Sequence, residues 1–440
     1  MNVSEQMRKD RAAVRELAKR AAEIAALPEQ NEKRELWRRL NDLQPVRPMV
    51  LIYGIPWGEM GCESLAERTE DPFYREQERY LRRLLFRWDH ARGDMVVEPF
   101  INCFAIINDT GCGFPGWVDE RLAERIIFAD KYEEIAMRSF KPMIRSECDL
   151  ENFKMPVISV DEDKTREYYE KTGDLYDGIF DVRYKIHMSE DFWPWNSVIA
   201  WLGIEESLAA MIERPQLIHK IMRRVVDAKL CALEQYERMN LLSYSSGNNL
   251  MGGYAYTGDL PTDGNGNGNR NGNGNGNGNA NGNGNRKARL SDIWCSAAAE
   301  IFTCVSPEMH EEFTLDYENE VLSKFGLTYY GCCERLDNKI HNLERIKNLR
   351  KISVSAWSDP YKAAELIGRR YVYSYKPDNT PLSSISWDME HTRAKLLDVV
   401  AAARRNGCPI EIIANAVTTV RNEPRRIFEW ADMAQRIAEA

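Results

Sequence analysis

The chain has 440 residues, 43% of them hydrophobic and 29% charged, with a formal net charge of −9. That length allows one large domain or two ordinary ones, and the acidic balance excludes a broad nucleic-acid-binding face, which needs concentrated basic charge. No apolar run approaches the ~20 residues that span a bilayer, residues 1–20 lack the apolar core of a secretory signal, and ten cysteines without small-domain spacing suit a reducing, cytoplasmic setting.

Helices are predicted over 4–26 and 30–43. Their stripes of Ala, Leu and Ile fit either a cover for the bottom of a barrel or a homodimer face. Strand candidates follow at Met49–Tyr53, Met95–Ile101, Ile179–Ile186 and Leu241–Tyr244, with helical patterns at 71–91, 119–140, 161–173 and 205–240. Residues 264–285 are Gly-Asn repeats broken by Arg270 and Ala280. Such a tract has nothing to bury and reads as a flexible loop inserted after the fourth strand.

The second half is more regular. An apolar run, Phe325–Tyr330, precedes an amphipathic segment, Leu336–Ile346. Residues 349–356 alternate like a strand, and Asp359 is placed to cap the helix after it. Tyr371–Tyr375 is the next strand, Asp388 opens a helix stopped by Asn406-Gly407, Pro409–Ile413 is the last strand, and a helix over Pro424–Ala438 closes the chain. Eight strands alternating with helices over ~390 residues predict an α/β chain folded as a (β/α)8 TIM barrel. A doubly wound sheet is disfavoured because no strand leads into G-x-G-x-x-G. On this reading 1–44 is an N-terminal helical extension, and 45–440 is the barrel carrying the low-complexity loop 264–285.

A barrel assembles chemistry at the C-terminal ends of its strands. Those positions hold Trp57 and Glu59, then Asn102 and Cys103, His187, then Ser245, Ser246 and Asn248. Cys332, Cys333 and Glu334 follow the fifth strand, and Trp357, Lys376 and Asn415 the last three. The run Tyr329-Tyr-Gly-Cys-Cys-Glu334 stands out. Its adjacent thiols read as metal ligands or nucleophiles, or as two small buried residues. With His187 they make a three-ligand zinc set with one position open, and the bland alternative for His187 is a hydrogen-bonded structural role. Glu59 and Glu334 suit acid or base catalysis if burial raises them, or else rim carboxylates holding helix N-termini. Trp57, Asn102, Trp357, Lys376 and Asn415 are the substrate-binding candidates, for a small molecule. Trp57 and Trp357, with Tyr254 and Tyr256, would line an aromatic pocket for a flat ligand, or simply pack.

Tyr330-Gly-Cys-Cys-Glu334 and Ile346-Lys-Asn-Leu-Arg-Lys-Ile-Ser-Val-Ser-Ala-Trp357 resemble the uroporphyrinogen decarboxylase-like superfamily, in a bacterial branch found in anaerobes and related to cobalamin-linked methyltransferases. Val46–Ile52, Pro56-Trp57-Gly-Glu59, Ser306–Phe313 and Thr418-Thr-Val420 extend the resemblance over most of the chain. It implies the same barrel fold. It also implies one of two chemistries: metal-free decarboxylation of a carboxylated tetrapyrrole, or methyl transfer between a corrinoid, carried on a partner protein, and a thiol activated by zinc. The decarboxylase branch has a basic N-terminal loop, whereas here Arg47 stands alone near that position. The methyltransferase branch carries His-x-Cys after a strand and a second cysteine near the C-terminus. Cys333 falls near the first, Tyr330 or Gly331 replaces the histidine, and Cys408 precedes the last strand rather than following it. Ala414-Asn415 stands where near relatives have Lys-Asp. The resemblance therefore favours a corrinoid-linked methyltransferase with zinc. Its alternatives are a metal-free carboxy-lyase and a non-catalytic barrel that binds a corrinoid or tetrapyrrole.

Overall fold

The structure is a computed structural model and describes residues 3–115, 117, 124–129, 136–140, 142–245, 247, 249–262 and 287–440. At its centre lie seven short strands: β1 (Met49–Ile52), β2 (Ser189–Phe192), β3 (Trp294–Ala297), β4 (Leu327–Tyr330), β5 (Leu349–Ser355), β6 (Val372–Lys376) and β7 (Ile410–Ala414). Their order across the sheet is β1-β7-β6-β5-β4-β3-β2, and every pairing is parallel. Parallel neighbours need crossover connections, and helices such as Pro360–Ile367 and Met389–Asn406 supply them.

The strand order is that of a singly wound barrel cut once, between β1 and β2. Among the described residues no strand pairs across that cut. The predicted eight-stranded closure is therefore not found among the described residues, and these seven strands form a parallel sheet in a mixed α/β fold.

Five sequence assignments are corrected. Asp181–Lys185, within the predicted third strand, pairs with Phe100–Phe104 in a separate two-stranded ribbon. Leu241–Tyr244 contributes only a single bridge, Leu242 to His187. The sheet instead takes Ser189–Phe192 and Trp294–Ala297. The predicted helix 119–140 contains the antiparallel strands Glu124–Ala129 and Ala136–Phe140, where Ile126-Ile127-Phe128 is a β-favouring cluster. In Leu336–Ile346 only Ile340–Leu343 is helical. The 205–240 helix divides into Ile204–Glu213 and Pro215–Arg238, because Arg214 ahead of the proline leaves helical geometry at φ −141° and ψ 52°. The Gly-Asn tract 264–285 lies outside the described residues.

Alternation along the strands gives the sheet two unlike faces. Ile352, Val354, Tyr373, Tyr375, Ile410 and Ile412 pack in one apolar cluster with Ala363, Leu396, Val400 and Ile427 of the covering helices. Each large aliphatic buried there contributes ~1.5–3 kcal/mol. The opposite face is polar. Along the register Asp191↔Ser296↔Tyr329↔Lys351 and Ser353↔Ser374↔Glu411, facing side chains bond to one another. Ser296 bonds Asp191, Tyr329 bonds Ser374 at 2.7 Å, and Lys351 pairs with Glu411 at 2.8 Å, both fully buried.

A tight hairpin, Asn249–Leu250 with Gly253–Tyr254, fills this polar face. Its carbonyls at Met251 and Tyr254 accept from Lys376 at 2.6 Å and Lys351 at 3.3 Å. Glycine is required at its turn: Gly252 has φ +98°, and a Cβ there would lie 2.4 Å from Ile413. The N-terminal helices, Val3–Ala25 and Pro28–Asn41, pack on this same side. Trp37 meets Tyr254 edge-on at 5.3 Å, and Asn41 donates to the carbonyls of Tyr254 and Tyr256. Covering the end of the sheet is thus the use these helices have within one chain. Among the described residues no helix is long and apolar enough to cross a membrane.

Candidate functional site

The Cys-Cys turn sits at the C-terminal end of β4. Gly331 makes it possible, with φ +93° and space so close that a Cβ would come within 2.5 Å of Leu336. Ser353 on the neighbouring strand donates to the Cys332 carbonyl at 2.7 Å. The carboxylate of Glu334, fully buried, accepts the N–H of Cys332 at 2.7 Å and that of Ala299 at 3.1 Å. Burial pushes the Glu334 carboxyl group up, and these amides pull it partly back. Glu334 is therefore placed as a tie between two loops, with no face toward solvent.

The turn brings the two sulfur atoms to 3.5 Å. With a carboxylate oxygen of Glu300 they form the group of potential metal ligands found among the described residues, all three atoms lying within 4.8 Å of one another. Cys332 is buried, whereas Cys333 and Glu300 reach solvent. The thiols divide their acidity: the hydrogen bond to Cys333, with burial, pushes Cys332 far up. The same bond, assisted by the Lys376 ammonium, lowers Cys333. Lys376 itself is pushed down to about 8 by burial, and it lies 5.5 Å above the Tyr329 ring. One ionisable thiol, one carboxylate and a lysine that loses its proton readily thus meet on the strand-end edge.

Two sulfurs and a carboxylate fit zinc. Sulfur ligands at about 2.3 Å from a tetrahedral ion lie about 3.7 Å apart, close to the separation here, and a three-ligand set leaves a fourth place for substrate.

His187 is not brought to the thiols. Its Nε2 pairs with Glu190 at 3.0 Å, and its ring stacks on Tyr236 at 4.9 Å. Lys229 bonds the other oxygen of Glu190 at 2.7 Å. Burial opposes ionisation of Glu190, but Lys229 and His187 outweigh it and hold this carboxyl well below the usual range. Glu300 takes the third place in the ligand group. Sequence reading missed it because strand β3, which aims it, was not recognised.

The remaining candidates scatter. Glu59 ties the loop after β1 to the loop after β7, accepting from Val420 N–H at 2.7 Å, Asn422 N–H at 3.0 Å and the Thr419 hydroxyl. Trp57 packs edge-on against Phe86 at 5.8 Å beneath the Arg83 guanidinium. Trp357 is 66% exposed on the rim. Tyr254 and Tyr256 lie under the N-terminal helices, so the four aromatics do not enclose one pocket. Asn102 and Cys103 belong to the separate ribbon. Asn415 follows β7, and its carbonyl accepts from Asn379. Ser246 and Asn248 lie outside the described residues. Arg47 is bound by Asp94 at 2.6 Å at the opposite end of β1, and Cys408 is buried against the Ala364 carbonyl at 3.2 Å.

Behind the thiols runs a buried chain that no spacing rule had singled out. His310 Nε2 meets the Tyr330 hydroxyl at 2.9 Å, and that hydroxyl donates to Glu318 at 2.7 Å. Burial drives His310 down to about 3 and Glu318 up to about 8, so both are neutral near pH 7.

Comparison with family models and with curated proteins gave no match. Among solved structures the chain is similar to a methyltransferase from Methanosarcina mazei, with 10% identity and a TM-score of 0.47, over 93% of this chain and 99% of that one. A likeness so distant carries nothing about chemistry.

Proposed function

We propose that the chain is a methyltransferase that passes a methyl group between a thiol and a corrinoid carried by a partner protein, with zinc held by Cys332, Cys333 and Glu300. The observation behind this reading is the thiol pair, 3.5 Å apart beside a carboxylate on the C-terminal edge of a parallel sheet. Zinc bound there would keep a coordinated substrate thiol ionised near neutral pH. The protein's own part is positional. Glu334, Ser353 and Gly331 fix the turn, Cys333 offers the more acidic sulfur, and Lys376 adds positive charge where anionic sulfur gathers. A closed (β/α)8 barrel belongs to the same reading, with one further strand seated between β1 and β2.

The test is elemental analysis of the reduced, anaerobically purified protein. About one zinc per chain is expected, lost in Cys333→Ala with the circular dichroism spectrum unchanged. Protein that contains no zinc and takes up none when supplied overturns the mechanism. A metal-free carboxy-lyase is then the better reading, and Lys376, buried with its acidity shifted to about 8, is the group that favours it.

A further inference from the structure

A cavity opens beside the cut edge of the sheet, between the end of β2 and the helix Pro215–Arg238. Its volume is about 500 Å³, and Trp117, Trp193 and Tyr236 contribute to its walls. That size is typical of a small-molecule site. The charges in it do not balance. Glu190 already engages both Lys229 and His187. Asp191 and Asp109 also line the cavity, and among the described residues neither is paired with a cation: Asp191 accepts from the Ser296 hydroxyl and Asp109 from the Gly111 N–H. The indole N–H of Trp193 is buried and has no hydrogen-bond partner among the described residues.

Surplus carboxylate among aromatic walls is the chemistry that recognises a bulky organic cation. A metal ion would call for a closed shell of oxygen ligands, and an anion would need a free basic group. Aromatic faces favour an alkylated ammonium by ~0.5–2 kcal/mol each once water is excluded, and a carboxylate within ~5 Å adds a charge contact. We propose that this cleft is a binding site for a small alkylated ammonium ion, held by Asp191 and Asp109 against Trp117, Trp193 and Tyr236. The site rests on the cleft alone and stands whether or not the thiol pair holds a metal. Strand β2 lies two strand spacings, about 10 Å, from β4 and the thiols at its end, and Asp191 is the penultimate residue of β2.

Calorimetric titration tests this with two probes of one shape: choline, and its uncharged isostere 3,3-dimethylbutan-1-ol. The full chain should bind choline saturably and roughly tenfold or more tighter than the alcohol. Asp191→Asn should erase that preference. Trp117→Leu, at a loop position that leaves the sheet intact, should weaken choline by roughly tenfold. Equal binding of the two probes, absence of saturable choline binding, or choline binding unaffected by both substitutions would overturn the assignment. Repeating the titration after treatment with a chelator separates the two sites. Choline binding that survives removal of zinc supports the cleft independently, and a protein that lacks zinc but binds choline refutes the metal mechanism alone.

Discussion

The Glu334 carboxylate accepts the N–H of Cys332 at 2.7 Å with no exposure to solvent. Its second oxygen holds the N–H of Ala299, the residue before Glu300. One side chain thus joins the two loops that carry all three candidate ligands. Glu334→Ala leaves two buried amides unpaired, at ~1–3 kcal/mol each. Urea denaturation should show a loss of about 2 kcal/mol or more, and zinc stoichiometry should fall with it. Glu334→Gln should lose less stability, since its amide oxygen still accepts one of the two bonds. Equal losses in the two variants would contradict the tie.

Cys333 is exposed and is the more acidic of the pair, because it receives the Cys332 hydrogen bond and feels Lys376. In metal-free protein it should be alkylated by iodoacetamide before Cys332, as peptide mapping would show. Lys376→Met removes the nearby positive charge and should move the alkylation profile of Cys333 to higher pH. Modification of Cys332 first, or a profile indifferent to Lys376, would reverse the assignment of roles.

The buried pair Lys351–Glu411 joins β5 and β7 on the polar face. Lys351→Met alone strands a carboxylate without solvent and should destabilise the fold by ~3–5 kcal/mol, whereas the double variant with Glu411→Leu should recover much of that loss. A double-mutant cycle in urea measures the difference. Additive losses would show that the two groups are not coupled in the folded state.

The βα units after residue 325 are legible in the sequence because each combines an apolar or alternating run with a local stop or start signal. Asp359 does cap its helix, accepting from Tyr361 and Lys362 N–H groups, and Gly407 closes the next one at φ +68°. Strand β2 is opaque for a physical reason. Ser189-Glu-Asp-Phe192 has the composition of a turn, and it becomes a strand because Ser296 takes up Asp191 while Lys229 and His187 take up Glu190. Of those partners, Lys229 and Ser296 lie 39 and 105 residues away in sequence. The site divides in the same way: the thiols announce themselves by adjacency, while Glu300 and the cleft around Asp191 arise only when β2 and β3 come together.

The last prediction concerns the proton on Glu318, which receives the Tyr330 hydroxyl at 2.7 Å. Burial raises this carboxyl from 4.5 to about 8 in the folded protein. Between those values the folded state holds a proton that the unfolded state has released, so this group's contribution to stability falls as pH rises through the interval and levels off above it. Lys376 acts in the adjoining window with the opposite sign. Its folded value is lowered from 10.5 to about 8, so between these limits the unfolded state holds the extra proton and stability rises with pH. Neither slope can exceed about 1.4 kcal/mol per pH unit. Denaturation of wild type against Glu318→Gln should isolate the falling limb, and against Lys376→Met the rising one. Parallel stability profiles for wild type and Glu318→Gln from pH 5 to about 8 would mean that Glu318 is ionised in the fold. The hydroxyl of Tyr330, one residue ahead of the turn that holds the thiols, would then be bound to a buried negative charge.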